Sequence, residues 1–256
     1  MMQKILRRWL VLILMTGALV IGGCFSQEKA QVSSASPSPS QTASPPTTQA
    51  SDLQPTNLPR LDGKATVTMV VKGQTVTIEV DGTDAPVTAG NFVDLVQRGV
   101  YNGLVFHRVV REPQPFVVQG GDPQSKNPNF PPEQLGTGSF IDPATSQPRY
   151  IPLEILPAGA KSPVYHQTLD TAGVTAAPKL KHTRGAVAMA RSASPDSASS
   201  QFYITLADVN FLDGSYAVFG YVTEGMETVD KIQQGDRIES IKVTKGADSL
   251  KTGGKS

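Results

Sequence analysis

The feature that most constrains this chain is strict two-residue alternation on either side of a tight turn. Val67, Met69 and Val71 alternate with Thr66, Thr68 and Val70, Lys72-Gly73-Gln74 reads as a turn, and Val76, Ile78 and Val80 alternate with Thr75, Thr77 and Glu79. Successive strand side chains point to opposite faces, so the pattern predicts an antiparallel pair with one buried face. Helical spacing is confined to two short stretches. Thr88 is placed to cap a helix through Val96, with Phe92, Leu95 and Val96 on one face and Gly99 as its left-handed end. The second runs near Met226 to Gln233, with Met226, Val229 and Ile232 at helical spacing and Gly235 beyond. A last strand is expected near Ile238 to Thr244, with Ile241 and Val243 on one face, and a polar tail that frays follows it. Short strands, regular turns and two helices predict an all-β closed sheet with helical caps.

Composition narrows the function. The 256 residues suffice for a real core. A net charge of +1 gives no footprint for nucleic acid. One cysteine excludes an internal disulfide and a thiolate zinc site, and three histidines without an H-x-x-x-H pair argue against a metal centre.

Residues 1–23 read as a signal peptide outside the fold. Lys4, Arg7 and Arg8 precede an apolar run from Trp9 to Ile21, which is short for a membrane span. The run ends in Leu19-Val20-Ile21-Gly22-Gly23-Cys24, which resembles a bacterial lipobox and implies acylation of Cys24. The protein is then expected in the cell envelope, held at a membrane by its lipid and facing the periplasm or exterior. Residues 24–60 are rich in Ser, Pro and Thr, with little to bury, and read as a disordered tether. The globular domain is expected over 61–245 and a flexible tail over 246–256.

Three stretches carry the chemistry. Phe106-His107-Arg108-Val109-Val110 leads to Phe116-Val117-Val118-Gln119-Gly120-Gly121-Asp122. Ala188-Met189-Ala190-Arg191 precedes Ser200-Gln201-Phe202-Tyr203-Ile204, and Phe211-Leu212-Asp213-Gly214-Ser215-Tyr216-Ala217-Val218-Phe219-Gly220 follows. In order and spacing, from about Ala65 to about Val243, they resemble the cyclophilin family of peptidyl-prolyl cis–trans isomerases. That resemblance implies an eight-stranded antiparallel barrel capped by two helices. It also implies isomerisation of X–Pro bonds in unfolded or extended polypeptides, without cofactor or metal, and a monomer is expected.

By the same resemblance Arg108 is the catalytic cation. Phe116 is the floor of a proline pocket, with Val117, Leu212, Tyr203 and Phe219 as walls, Phe219 being mainly core. Gln119 holds the substrate backbone and orients Arg108, Ala190 and Arg191 pair with the extended peptide, and Gln201 lies beside them. Tyr216 stands where many members carry histidine. Phe92, Phe106, Phe202 and Met189 are expected in the core, Gly120 and Gly121 serve backbone geometry, and His107 is expected to be a hydrogen-bonded structural group rather than a base.

The departures from the family pattern are specific. The loop Arg111 to Pro115 is long, Val117 replaces a common methionine, Arg191 replaces a common asparagine, and Gly159 to about Lys181 is an insertion expected as a surface loop. Phe211 stands where many members have tryptophan, which removes an indole donor used by cyclosporin and predicts weak inhibition. Other readings are a groove that captures proline segments without turning them over, as a chaperone or scaffold, and Arg108 as a buried ion-pair partner. A serine hydrolase using Ser192 to Ser200 with His107 lacks a G-x-S-x-G elbow.

Overall fold

Residues 57–252 are described by the computed structural model. Cys24, the leader and most of the tether lie outside the described residues. After Arg60–Leu61 (β1), Lys64–Val71 (β2) and Gln74–Asp81 (β3) form the expected hairpin, in register from Lys64↔Asp81 to Val71↔Gln74. Lys72 and Gly73 both have positive φ, 54° and 70°, the two-residue turn whose twist matches the strands. Val67, Met69, Val71, Val76, Ile78 and Val80 are all fully buried.

The chain continues through Pro86–Gln97 (α1), Arg108–Val110 (β4), Val117–Gly120 (β5), Ile141–Asp142 (β6), Gln147–Pro148 (β7), Glu154–Ile155 (β8) and Val164–Tyr165 (β9). Ala186–Met189 (β10), Phe202–Thr205 (β11), Val218–Glu224 (β12), Met226–Val229 (α2), Ile238–Lys245 (β13) and Leu250–Lys251 (β14) complete it. Eight strands make one antiparallel sheet in the order β13-β2-β3-β12-β10-β11-β5-β4.

The expected closed barrel is corrected: the sheet curls into a half-barrel whose end strands, β13 and β4, do not pair. β4 has only three residues. The approach falls to the segments before these strands, through the single bridge Val105↔Arg237 and bonds such as Ile238 N–H to Leu104 O at 2.8 Å.

α1 carries Pro86 in its first turn, and Ala85, not Thr88, stands at its N-cap without a side-chain bond. The capping group comes from 66 residues away. Glu154 on β8 accepts the Thr88 N–H at 2.7 Å, the Thr88 hydroxyl at 2.8 Å, the Val87 N–H at 3.2 Å and the Tyr165 hydroxyl at 2.7 Å. A negative group there satisfies donors that a helix leaves open. Gly90 is where the helix meets the start of the domain: a Cβ would lie 2.5 Å from Arg60 Cα. The second helix, expected through Gln233, ends at Val229.

Phe92, at the centre of the interior cluster, has ring centroids of Tyr101, Phe202 and Phe219 within 5.4 Å. Phe106 and Met189 are buried with them. The tail expected to fray from 246 is ordered at least to Lys251, because Leu250↔Leu61 and Lys251↔Arg60 pair. The insertion at 159–181 is not a bare surface loop. Leu169 packs with Leu153, Ile155 and Ala217, Lys179 pairs with Asp84 at 2.7 Å, and the Leu169 N–H reaches Gly214 O at 2.9 Å. Among the described residues no helix is long and apolar enough to cross a membrane.

Glu154→Ala leaves three donors at the head of α1, and the Tyr165 hydroxyl on β9, without their acceptor. It is expected to destabilise the protein by about 2–4 kcal/mol, read as a lower urea midpoint with an unchanged slope; a loss under about 1 kcal/mol would show that water replaces the carboxylate.

Candidate active site

The site lies on the outer face of the curled sheet. On β5, β10, β11 and the start of β12 both faces are covered: Val118, Val187, Met189, Phe202 and Ile204 face the interior cluster, while Val117, Ala186, Ala188, Tyr203 and Val218 form a second apolar cluster outside it. Phe116, Leu212, Tyr216 and Ala190 pack against this second cluster.

Register puts the polar groups beside it. Arg108 is the cross-strand partner of Gln119, and Gln119 is in turn the partner of Tyr203. Arg108 Nη1 donates to Gln119 Oε1 at 3.3 Å, Gln119 Nε2 donates to Gln201 Oε1 at 3.2 Å, and Gln201 Nε2 donates to Gly138 O at 2.8 Å. The Arg108 guanidinium carbon lies 5.6 Å from the Phe116 ring centroid. The reading of Arg108 as a buried ion-pair partner is corrected, since it is exposed and forms no ion pair among the described residues.

Nine of the sequence-chosen residues line one cavity of about 230 Å³: Arg108, Phe116, Val117, Gln119, Ala190, Arg191, Tyr203, Leu212 and Tyr216. Gln201 lines an adjoining cavity of about 560 Å³ that shares Gln119, Ala190 and Arg191 and extends to Gly138 and Tyr150. Phe211 is not a wall of the first cavity. It is 74% exposed and stacks on Phe116 at 5.7 Å. Phe219 is fully buried in the interior cluster.

Arg191 is engaged rather than free. Its Nε and Nη2 donate to Ser215 O at 3.0 and 2.7 Å, Nη1 donates to Ser192 O at 2.8 Å, and the guanidinium stands 4.6 Å from the Tyr216 centroid. It clamps the two loops that flank the groove. The insertion supports the same place, because Leu169 lies against Gly214 in the turn that carries Leu212 and Tyr216.

Several functional contacts escaped sequence reasoning. Asp122, fully buried, accepts the N–H groups of Gln124, Gly136 and Gly138 at 2.9, 2.6 and 3.1 Å and so holds the loop that lines the larger cavity. Beneath Tyr203, buried His182 bridges to Asp213. His107 is buried, but the expected hydrogen bond is absent: neither ring nitrogen has a partner among the described residues. Its burial lowers its pKa, Asp122 opposes this, and Arg108 adds to it. No Ser–His pair suited to a hydrolase forms with it, and the Ser192 and Ser197 hydroxyls bond to each other at 2.8 Å. The arrangement presents a cation and an amide beside the apolar side chains of Phe116, Val117, Ala190 and Leu212, and the lining of this cavity holds no serine, threonine or cysteine.

Comparison with known proteins gives the family. A family model for cyclophilin-type peptidyl-prolyl cis–trans isomerases matches residues 66–250. A Synechocystis protein named as a thylakoid lumen peptidyl-prolyl cis–trans isomerase is 45% identical over 208 residues, 77% of this chain and 51% of its own length. A chloroplast peptidyl-prolyl cis–trans isomerase of Arabidopsis thaliana is 41% identical, over 76% of this chain and 45% of its own. This chain thus spans about half the length of these two relatives. A Helicobacter pylori peptidyl-prolyl cis–trans isomerase is 36% identical over 65% of this chain and 79% of its own. Among solved structures, a Cryptosporidium parvum cyclophilin matches with a TM-score of 0.53 and 23% identity, covering 70% of this chain and 97% of that one, which shows the fold.

His107 gives a pH test. Burial holds its folded-state pKa below the ordinary histidine value, so as pH falls the unfolded chain takes up the proton first. The stability it permits is full above that value and is lost as pH falls toward the folded pKa. His107→Leu is therefore expected to gain stability relative to wild type as pH drops from about 7 to about 5. Thermal midpoints that keep a constant gap over that range would contradict this.

Proposed function

The chain belongs to the cyclophilin-type peptidyl-prolyl cis–trans isomerase family, and we propose that it accelerates X–Pro isomerisation by aiming Arg108 at the proline nitrogen. Amide resonance sets the uncatalysed barrier at ~18–20 kcal/mol. Twisting the bond makes the nitrogen pyramidal and frees its lone pair. A cation directed there stabilises the twisted form more than either planar form, which is what lowers a barrier. A guanidinium is a permanent cation, and the planar fork of Arg108 keeps its direction while Gln119 holds one nitrogen. Phe116, Val117, Leu212 and Tyr203 receive the proline ring, and Gln119, Ala190, Gln201 and Tyr216 meet the flanking peptide. The carrying observation is the hydrogen-bonded Arg108–Gln119 pair at the cavity lined by Phe116. A Cryptosporidium parvum cyclophilin solved in the presence of the dipeptide Ala-Pro, with a TM-score of 0.51, is consistent with this ligand class.

The substrates proposed are exported or envelope polypeptides, met by a domain tethered through lipidated Cys24 and residues 25–60. The lipobox-like sequence supports this, as does a relative named for the thylakoid lumen. A second reading, capture without turnover, draws on the adjoining 560 Å³ cavity, which is larger than the one for proline.

Exchange between cis and trans forms of a short X–Pro peptide, with the full chain and with Arg108→Ala, tests the assignment. The variant is expected to lose about 10²–10³-fold in kcat/KM while keeping its fold. Retention within about twofold removes Arg108 from the mechanism, and saturable binding without turnover by wild type establishes the capture reading. Cyclosporin is expected to inhibit weakly, because Phe211 offers no N–H; tight stoichiometric inhibition would contradict this. Labelling with palmitate is expected in the full chain and lost in Cys24→Ala.

A further inference from the structure

The wall of the proline cavity is backed by a hydrogen-bonded chain that the proposed mechanism does not use. Tyr203 lines the cavity and is 5% exposed. Its hydroxyl lies 3.0 Å from His182 Nε2, and His182 itself is fully buried. Nδ1 of the same imidazole is 2.8 Å from Asp213 Oδ1, which also accepts the His182 backbone N–H at 2.8 Å. A carboxylate only accepts, so Nδ1 carries the proton and Nε2 presents its lone pair. The Tyr203 O–H must then donate to Nε2, and the two ring planes lie within 16° of each other.

We propose that Asp213, His182 and Tyr203 form a positioning relay that holds the Tyr203 hydroxyl proton away from the cavity, so that the wall facing a bound proline is carbon. This rests on the isomerase reading for the identity of the ligand. The relay has a direction that can be reversed. A proton on Nε2 turns the imidazole into a donor, the Tyr203 oxygen becomes its acceptor, and the Tyr203 proton must leave that axis. The wall then presents a polar hydrogen whose partner a proline ring cannot supply.

The charged and titratable surroundings leave His182 as the group that switches. Asp213 on the 211–216 turn faces Nδ1 and Tyr203 on β11 faces Nε2. Tyr216 stands edge-on to Tyr203 at 6.1 Å, and Arg191 is committed to Ser215 and the Tyr216 ring. On its own segment the neighbour is Lys181, whose backbone N–H and carbonyl are held by the Tyr221 hydroxyl. Burial lowers the His182 pKa and Asp213 opposes it, so the neutral form prevails at neutral pH.

The test compares the full chain with Tyr203→Phe from about pH 8 to about pH 5, following imidazole nitrogen NMR together with Kd and kcat for an X–Pro peptide. At neutral pH His182 is expected as the Nδ1-protonated tautomer, with an Nε2 resonance that moves when Tyr203 loses its hydroxyl. In wild type, Kd is expected to rise about five- to tenfold as His182 titrates, with kcat unchanged, while Kd of Tyr203→Phe stays level. An Nε2-protonated tautomer, or pH dependences of Kd that run parallel in the two proteins, would overturn the relay. If Tyr203→Phe does not fold, Asp213→Asn takes its place: loss of the Nδ1 preference supports the relay and its retention overturns it. Absence of turnover at every pH would sink the isomerase reading alone, since the tautomer and Kd still decide the relay.

Discussion

The register that sets Arg108 opposite Gln119, and Gln119 opposite Tyr203, is the constraint on which the groove depends. Side chains alternate across a strand, so pairing these three residues puts a cation, an amide and an aromatic wall on one face in fixed sequence. A slip of one residue on any of the three strands would turn that member into the interior. The interior cannot accept it, because Val109, Val118 and Phe202 already occupy the opposite face beside Phe92 and Phe106. The packing of the core and the order of the site are thus one condition seen from two sides.

Around that frame, buried and half-buried carboxylates hold the irregular chain. Asp122 gathers the N–H groups of the 136–138 loop, Glu154 closes the head of α1, Asp94 joins Arg98 and Arg149 at 2.8 and 2.7 Å, and Asp213 fixes His182. Apart from the part-exposed Arg98, these carboxylates meet donors with little access to water, which stabilises more than a surface ion pair does. Glu154 shows the balance. Burial pushes its carboxyl pKa up, and bonds from Thr88, Tyr165 and Val87 oppose that shift. The two departures nearest the groove follow the same logic, since Arg191 is bound to loop carbonyls and the insertion packs Leu169 under the turn of Leu212. They lend the groove stiffness instead of a new charge.

Much was legible in the chain. The hairpin of Val67 to Val80, the burial of Phe92 and Phe202 and the left-handed Gly99 follow from neighbours a few residues apart, where periodicity and turn chemistry act directly. The motif stretches supplied nine residues of the cavity, because their order along the chain carries the family likeness. Phe219, named among the walls and expected mainly in the core, lies wholly in the interior, and Phe211 stacks on Phe116 outside the cavity lining, because neighbouring positions in a turn point in different directions and spacing alone does not say which one faces inward.

What the sequence determined by itself was the class of the fold, its main strands and the identities of the groove residues, all set by local pattern and motif. Only the tertiary structure decided that the sheet stays a half-barrel, that Glu154 rather than Thr88 caps α1, that His107 has no partner among the described residues, and that His182 stands between Asp213 and Tyr203. The physical reason is the same in each case. These outcomes rest on contacts between residues tens of positions apart, such as Thr88 with Glu154 or His182 with Asp213, and no term in local propensity encodes which distant donor meets which acceptor.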